Sequence, residues 1–391
     1  MSDTSNRGVR VVVAGALTLL VVHTLGRFIY TPLLPRLIED GMLTISQGAD
    51  VATWNYVGYL LGAMLAIRWS KVSQIQRILP KALVLNVLCT LAQTQTESIA
   101  VLSFLRLVNG ITNGVVFVQA PALILEWLVV QGRANLSGLM YLGVGAGLLV
   151  SSLLVSMFAD VLWGPARWWP AFVVAVPITW WCLKQLKGLQ FEPLTATASQ
   201  QHGKAKLFDR YSVPLFMSYA GAGLGYILPM TFLPTLVAQL WYLPQALTDG
   251  SWLLVALATL PSPWLWNKAG VRWGDTRALR WNYTLQLLGV AALILMPNTV
   301  GILLGSILVG STFLGTVLLT QRLARTFHPH QGPKLSAALV ALYGGTQLAG
   351  PWLARVWIDA GGSLQSAFWI GVGALGWGLL WSLLTPVEPQ P

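Results

Sequence analysis

The chain is 391 residues long, 55% apolar and only 9% charged, with a net charge of +11. A water-facing domain carries roughly 25% charged residues, so a soluble globular fold is excluded. Two cysteines, Cys89 and Cys182, both in apolar stretches, exclude a disulfide framework.

About 20 apolar residues suffice to cross ~30 Å of hydrocarbon. On that measure twelve spans are expected, at 10–36, 50–69, 78–94, 98–120, 135–157, 168–186, 211–238, 250–267, 277–296, 299–320, 334–356 and 364–384. The expected fold is all-α and integral to a membrane. The first stretch is long and contains Arg27, which reads as a retained span and not as a cleaved leader. Between the sixth and seventh spans lies a polar stretch with Thr195, Thr197, Ser199, Gln200 and Gln201. It reads as a linker, 188–210, between a six-span half at 1–187 and another at 211–391.

Charge orients the spans, because Lys and Arg concentrate in cytoplasmic loops. With the N-terminus inside, 19 of the 24 basic residues fall in inside segments. Arg36, Arg167 and Arg355 fall outside, and Arg27 and Arg106 lie within spans. Both termini are therefore expected in the cytoplasm. The positive charge faces anionic lipid headgroups and calls for no nucleic-acid partner. Trp163, Trp168, Trp169, Trp180, Trp181 and Trp241 lie near span ends, as expected of an interfacial belt.

The first span contains Gly26-Arg-Phe-Ile-Tyr-Thr-Pro-Leu-Leu-Pro35 and the seventh Gly225-Tyr-Ile-Leu-Pro-Met-Thr-Phe-Leu-Pro234. Gly26, Leu34 and Pro35 align with Gly225, Leu233 and Pro234, and the position at the start of each half points to duplication. Glycines four apart, including Gly58 and Gly62, Gly110 and Gly114, and Gly221 and Gly225, suit close helix packing in lipid. Pro32, Pro35, Pro229, Pro234 and Pro351 are expected to kink pore-lining helices.

These segments, with Gly58-Tyr-Leu-Leu-Gly62, Thr231-Phe-Leu-Pro234, Tyr343-Gly-Gly-Thr-Gln347 and Gly350-Pro351, resemble the YbfB/YjiJ-like bacterial branch of the major facilitator superfamily. The likeness runs in order over nearly the whole chain. It implies a twelve-helix fold of two pseudo-symmetric halves, an inner-membrane location, and transport of a small solute by alternating access. The buried-Arg-then-Gly pattern of the fourth span is present as Arg106-Leu-Val-Asn-Gly110. The superfamily's cytoplasmic loop after the second span carries a latching Asp. Here the loop has Arg68 and then Lys71 where the Asp falls, and a weaker counterpart, Arg272-Trp-Gly-Asp275, follows the eighth span. The glycine pattern of 138–147 resembles the antiporter signature without its Gly-Pro step.

A cation at bilayer depth costs about 2.5–3.5 kcal/mol on insertion scales and faces a bundle interior or a wet cavity. Arg27 has His23 and Tyr30 on its helical face, and Arg106 has Asn109 and Asn113. All thirteen Asp and Glu fall in loops or at span ends. Two cations far from acids suit an organic or other small anion, which Arg grips in bidentate fashion. The competing reading has Arg106 bonding backbone carbonyls at a helix break and Arg27 snorkelling outward. Tyr56, Tyr59, Tyr226, Gln286, Tyr343 and Gln347 are further cavity candidates, with interhelical hydrogen bonding as their alternative role. His23, Glu126 and Asp50 are the candidates for proton coupling. Exchange and facilitated diffusion stay open beside it.

Neither a phosphate-binding loop nor metal-ligand spacing nor a nucleophile triad is found, so no enzyme activity, cofactor or metal is expected. Partners are expected to be the solute, protons and membrane lipid, with the chain acting as a monomer. Two further readings stand beside anion transport. One is export of amphipathic organic compounds, and the other is a transporter-like sensor or scaffold, favoured by Lys71.

Overall fold

A computed structural model describes residues 2–69, 71–187, 189, 209–210, 212–328 and 332–387. Most of the expected linker 188–210 lies outside them. The described residues form helices and turns with no strand. In chain order the helices are α1 Ser2–Leu19, a π-helical segment Leu20–Phe28, α2 Tyr30–Glu39, α3 Ile45–Arg68, α4 Val72–Gln93, α5 Ile99–Val130, α6 Leu142–Met157, α7 Trp169–Lys187, α8 Ser212–Gln239, α9 Ala246–Thr259, α10 Ser262–Trp273, α11 Asp275–Leu295, α12 Thr299–Phe327, α13 Gly332–Asp359 and α14 Leu364–Leu384.

Among the described residues, eight helical stretches are long and apolar enough to cross a membrane, against the twelve expected. The expected spans 50–69, 168–186 and 334–356 are helical, as α3, α7 and α13, but fall outside those eight. The expected span 250–267 is broken into α9 and α10 around Leu260 and Pro261. Pro261 and Pro263 supply no backbone N–H and crowd the preceding turn, which ends a helix. The expected span 135–157 opens as a tight 3₁₀ segment, Ala134–Tyr141, and becomes α-helical only at Leu142. The last span lies as expected, 364–384.

The helices pack as two compact units. The first comprises residues 1–29 and 57–201, and the second 30–56 and 202–391. In the first, α3 and α5 touch at backbone level. A side chain at Gly58 or Gly62 would collide with the main chain at Leu107 or Ile111, and one at Gly114 with that at Tyr59. Where lipid supplies no hydrophobic drive between helices, this proximity supplies the packing. In the second unit Gly310 meets the Val255 carbonyl in the same manner. Of the tryptophans expected at interfaces, Trp163, Trp169, Trp180 and Trp241 are exposed, whereas Trp168 is fully buried.

Each unit also carries the same polar tie. In the first, Asn86 on α4 donates to the Asn109 carbonyl (3.2 Å) and the Thr112 hydroxyl (2.8 Å) on α5. In the second, Asn282 on α11 donates to the Thr312 carbonyl (2.9 Å) and accepts from the Thr316 hydroxyl (2.5 Å) on α12. A buried amide amid apolar residues needs such partners, and here it fixes the rotation of one helix against the next.

Candidate functional site

In the first unit the site is built on a defect in a helix. Over Leu20–Phe28 the hydrogen bonding widens to five residues, and the Ile29 N–H donates to the Thr24 carbonyl at 2.7 Å. Such π segments concentrate at functional sites. The wide register then runs into Pro32, which has no N–H to give. Arg106 supplies donors instead, with Nη1 to the Gly26 carbonyl at 2.7 Å and Nη2 to the Arg27 carbonyl at 3.1 Å. Arg106 is 2% exposed. Its guanidinium therefore does what the competing reading held, bracing a helix break through backbone carbonyls.

Arg27 does not snorkel. It is 2% exposed, and its Cζ lies 4.4 Å from the centroid of the Tyr59 ring and 5.0 Å from that of Phe28. His23 stacks on Phe117 (centroids 4.4 Å) and meets Phe28 edge-on (5.1 Å). Its Nδ1 lies 3.3 Å from Asn113 Oδ1. Tyr59 and Tyr141 each sit about 6 Å from the Phe117 ring. The result is a cation held against an aromatic wall, an arrangement worth about 2 kcal/mol or more when desolvated. Sequence reasoning missed Phe117 and Tyr141 in this wall. Their only signal was aromatic character within apolar runs. Asn86 could have been found, as an amide in the middle of α4.

Tyr30, expected beside Arg27, belongs to the second unit, where its hydroxyl donates to the Gly48 carbonyl at 2.9 Å. That unit brings together Tyr226 and Tyr343 within a column of near-parallel rings. Tyr219 lies 4.3 Å from Tyr343, Tyr343 lies 5.3 Å from Tyr226, and Tyr226 lies 5.8 Å from Phe313. Gln347 is buried one helical turn beyond Tyr343. Gln286 is 1% exposed, and neither its amide oxygen nor its nitrogen finds a hydrogen-bond partner among the described residues.

The acids gather elsewhere. Arg36 at the end of α2 pairs with Asp249 on α9 (2.8 Å) and with Glu39 (3.3 Å). Asp50 on α3 pairs with Arg355 on α13, which also reaches Asp359 at 3.5 Å. Alongside, the Thr31 hydroxyl donates to the Met230 carbonyl (2.6 Å), and the Tyr56 and Thr231 hydroxyls share a bond (2.8 Å). Thr31 and Met230 are equivalent positions of the internal repeat. Glu126 is half-buried near the end of α5. Of the expected gating residues, Arg68 ends α3 and Lys71 is exposed just before α4. Arg272 lies in the last turn of α10. Gly274 follows with φ +86°, a turn that only glycine enters without strain. Asp275 opens α11 and pairs with Arg322 at 3.0 Å.

The fold is that of several solved membrane transporters. It is similar to the D-xylose-proton symporter (TM-score 0.72, 15% identity, covering 97% of this chain and 98% of that one). It is also similar to the nucleoside transporter NupG (TM-score 0.70, 12% identity, 98% and 100%). Residues 19–383 match the family described as the uncharacterised MFS-type transporter YbfB, and the chain belongs to that family. It is accordingly a multi-pass membrane transporter and not an enzyme. None of the curated proteins matches it.

Proposed function

We propose that this chain is a secondary transporter of a small organic anion, working by alternating access as a monomer in a bacterial inner membrane with both termini cytoplasmic. The proposal retains twelve spans in two halves, 1–187 and 211–391. The meeting of Thr31 with its repeat equivalent Met230 supports it, since equivalent positions touch at a two-fold axis.

The observation that carries the anion is the setting of Arg27. Its guanidinium is buried against Tyr59 and Phe28, a place where a carboxylate can be gripped while its apolar body lies on the rings. Arg106 then acts as a positioning residue through the carbonyls on either side of the Gly26–Arg27 peptide. Asn109, Asn113 and His23 complete this side. In the second unit, Tyr226, Tyr343, Gln347 and Gln286 are the candidate substrate-orienting residues. The ion pairs Arg36–Asp249 and Asp50–Arg355 hold one end of the pathway shut and part during the cycle. This assigns Asp50 to gating ahead of proton coupling.

The test is flux in proteoliposomes across a panel of labelled carboxylates and lipophilic cations. Carboxylate flux that Arg27→Ala abolishes and Arg27→Lys partly keeps is the expected outcome. Undiminished flux in Arg27→Ala would sink the anion assignment. Acidifying one side identifies the driving ion. Acceleration that His23→Gln removes assigns the proton to His23, and indifference to the gradient assigns exchange or facilitated diffusion. The tyrosine column favours a second reading, export of flat amphipathic compounds, whose mark is flux of lipophilic cations lost in Tyr343→Ala.

A further inference from the structure

The first unit carries a groove on its surface with a volume of about 410 Å³, whose lining includes none of the residues around Arg27 and Arg106. One wall is the stripe Lys81, Val84, Leu85 and Leu88 of α4, and the other is Leu183 and Lys187 of α7. The α4 positions recur at i, i+3, i+4 and i+7, so they form one face of that helix. Pro80 lies at the base of the same stripe. Val84, Leu85 and Leu88 are all exposed, as lipid-facing residues are.

Polarity is graded along this groove. The two lysines stand at one end, and the aliphatic side chains run on from Lys81 toward the C-terminal end of α4 and back from Lys187 along α7. The two walls share that end, because Gln76 near the start of α4 donates to the carbonyl of Leu189, just past α7, at 3.2 Å. The local charge has one sign. Neither α4 (72–93) nor α7 (169–187) contains an Asp or Glu, while Arg77 and Lys184 add two further cations within a turn of the lysines. A groove with aliphatic walls and a doubly cationic mouth matches one kind of molecule in a membrane: an acyl chain that ends in a negative headgroup.

We propose that the α4–α7 groove is a binding site for an anionic phospholipid, with its phosphate between Lys81 and Lys187 and its acyl chain along Val84, Leu85, Leu88 and Leu183. Basic sites between membrane helices hold anionic headgroups, and a Lys or Arg near the surface contributes about a factor of five each. Two lysines together should give roughly a thirty-fold preference over a zwitterionic lipid. The site does not depend on what the protein transports.

The test measures thermal unfolding of the full chain in neutral detergent as phosphatidylglycerol or phosphatidylcholine is added, since a lipid that binds the folded state raises Tm. Phosphatidylglycerol is expected to raise Tm and phosphatidylcholine to do so far less. Lys81→Gln/Lys187→Gln should need about thirty-fold more phosphatidylglycerol for the same shift. Lys268→Gln/Arg272→Gln, which removes equal charge from the other unit, should respond as the wild type. Leu85→Trp, which fills the groove and spares the lysines, should also lose the response. Equal responses of the wild type and the lysine double variant would overturn the site. So would a full response in Leu85→Trp, which assigns the effect to surface charge alone, or an equal shift from soluble glycerol phosphate, which needs no acyl groove.

Discussion

Arg106 illustrates how a charge buried inside an apolar helix bundle is kept. Its two donors satisfy the carbonyls of Gly26 and Arg27, where a buried acceptor left open costs about 1–3 kcal/mol. Arg106→Ala is expected to lower stability by about that amount, read as a fall in Tm in detergent. Arg106→Lys should recover only part of it, because an ammonium lacks the planar fork. A Tm unchanged in Arg106→Ala would show that the helix break needs no brace. Gln286 presents the opposite case, a buried amide with both ends unsatisfied among the described residues. Gln286→Met keeps its length and removes that debt, so Tm should rise by an amount corresponding to about 1–2 kcal/mol, while flux falls if the amide orients substrate. A stabilised variant with full flux would remove Gln286 from the site. That an Arg in the fourth span is buried was legible in the sequence. That it binds main chain was not, because its partners lie about 80 residues away on a segment whose register only folding sets.

At the scale of the element, helix positions were legible and helix irregularities were not. Spans such as 364–384 follow from a run of apolar residues of bilayer length. The π segment at Leu20–Phe28, the 3₁₀ opening of α6 and the break between α9 and α10 depend on single bonds won or lost at proline or at a neighbouring helix. The glycine spacing did announce where helices touch. Gly58→Val is expected to push α3 off α5 and prevent accumulation of folded protein, read by size-exclusion chromatography. Gly250→Ala, at a position with open space around it, should elute as the wild type. A monodisperse Gly58→Val protein would mean that α3 and α5 can separate at little cost.

At the scale of the molecule, the second unit joins residues 30–56 to the C-terminal part of the chain through Arg36–Asp249 and Asp50–Arg355. Partly buried pairs of this kind are sensitive to loss of one partner, which strands the other charge. Asp50→Arg alone should impair flux, and Asp50→Arg/Arg355→Asp should restore much of it if the pair is a latch. A double variant as inactive as the single one would return Asp50 to a proton-handling role. The pairs join residues more than 200 positions apart, so no local pattern could disclose them.

Composition and span length were enough to establish a many-spanning membrane protein, and the short repeated segments were enough to indicate its superfamily. These properties are summed over many residues, each contributing its own transfer free energy, and such sums survive ignorance of the fold. The tertiary structure decided which cation braces the backbone and which lies against the rings, which tyrosines stack into a column, and which acids are taken up in ion pairs. Each of these turns on a separation of a few ångströms between residues distant in the chain, and a hydrogen bond or ring contact exists only once that separation is set.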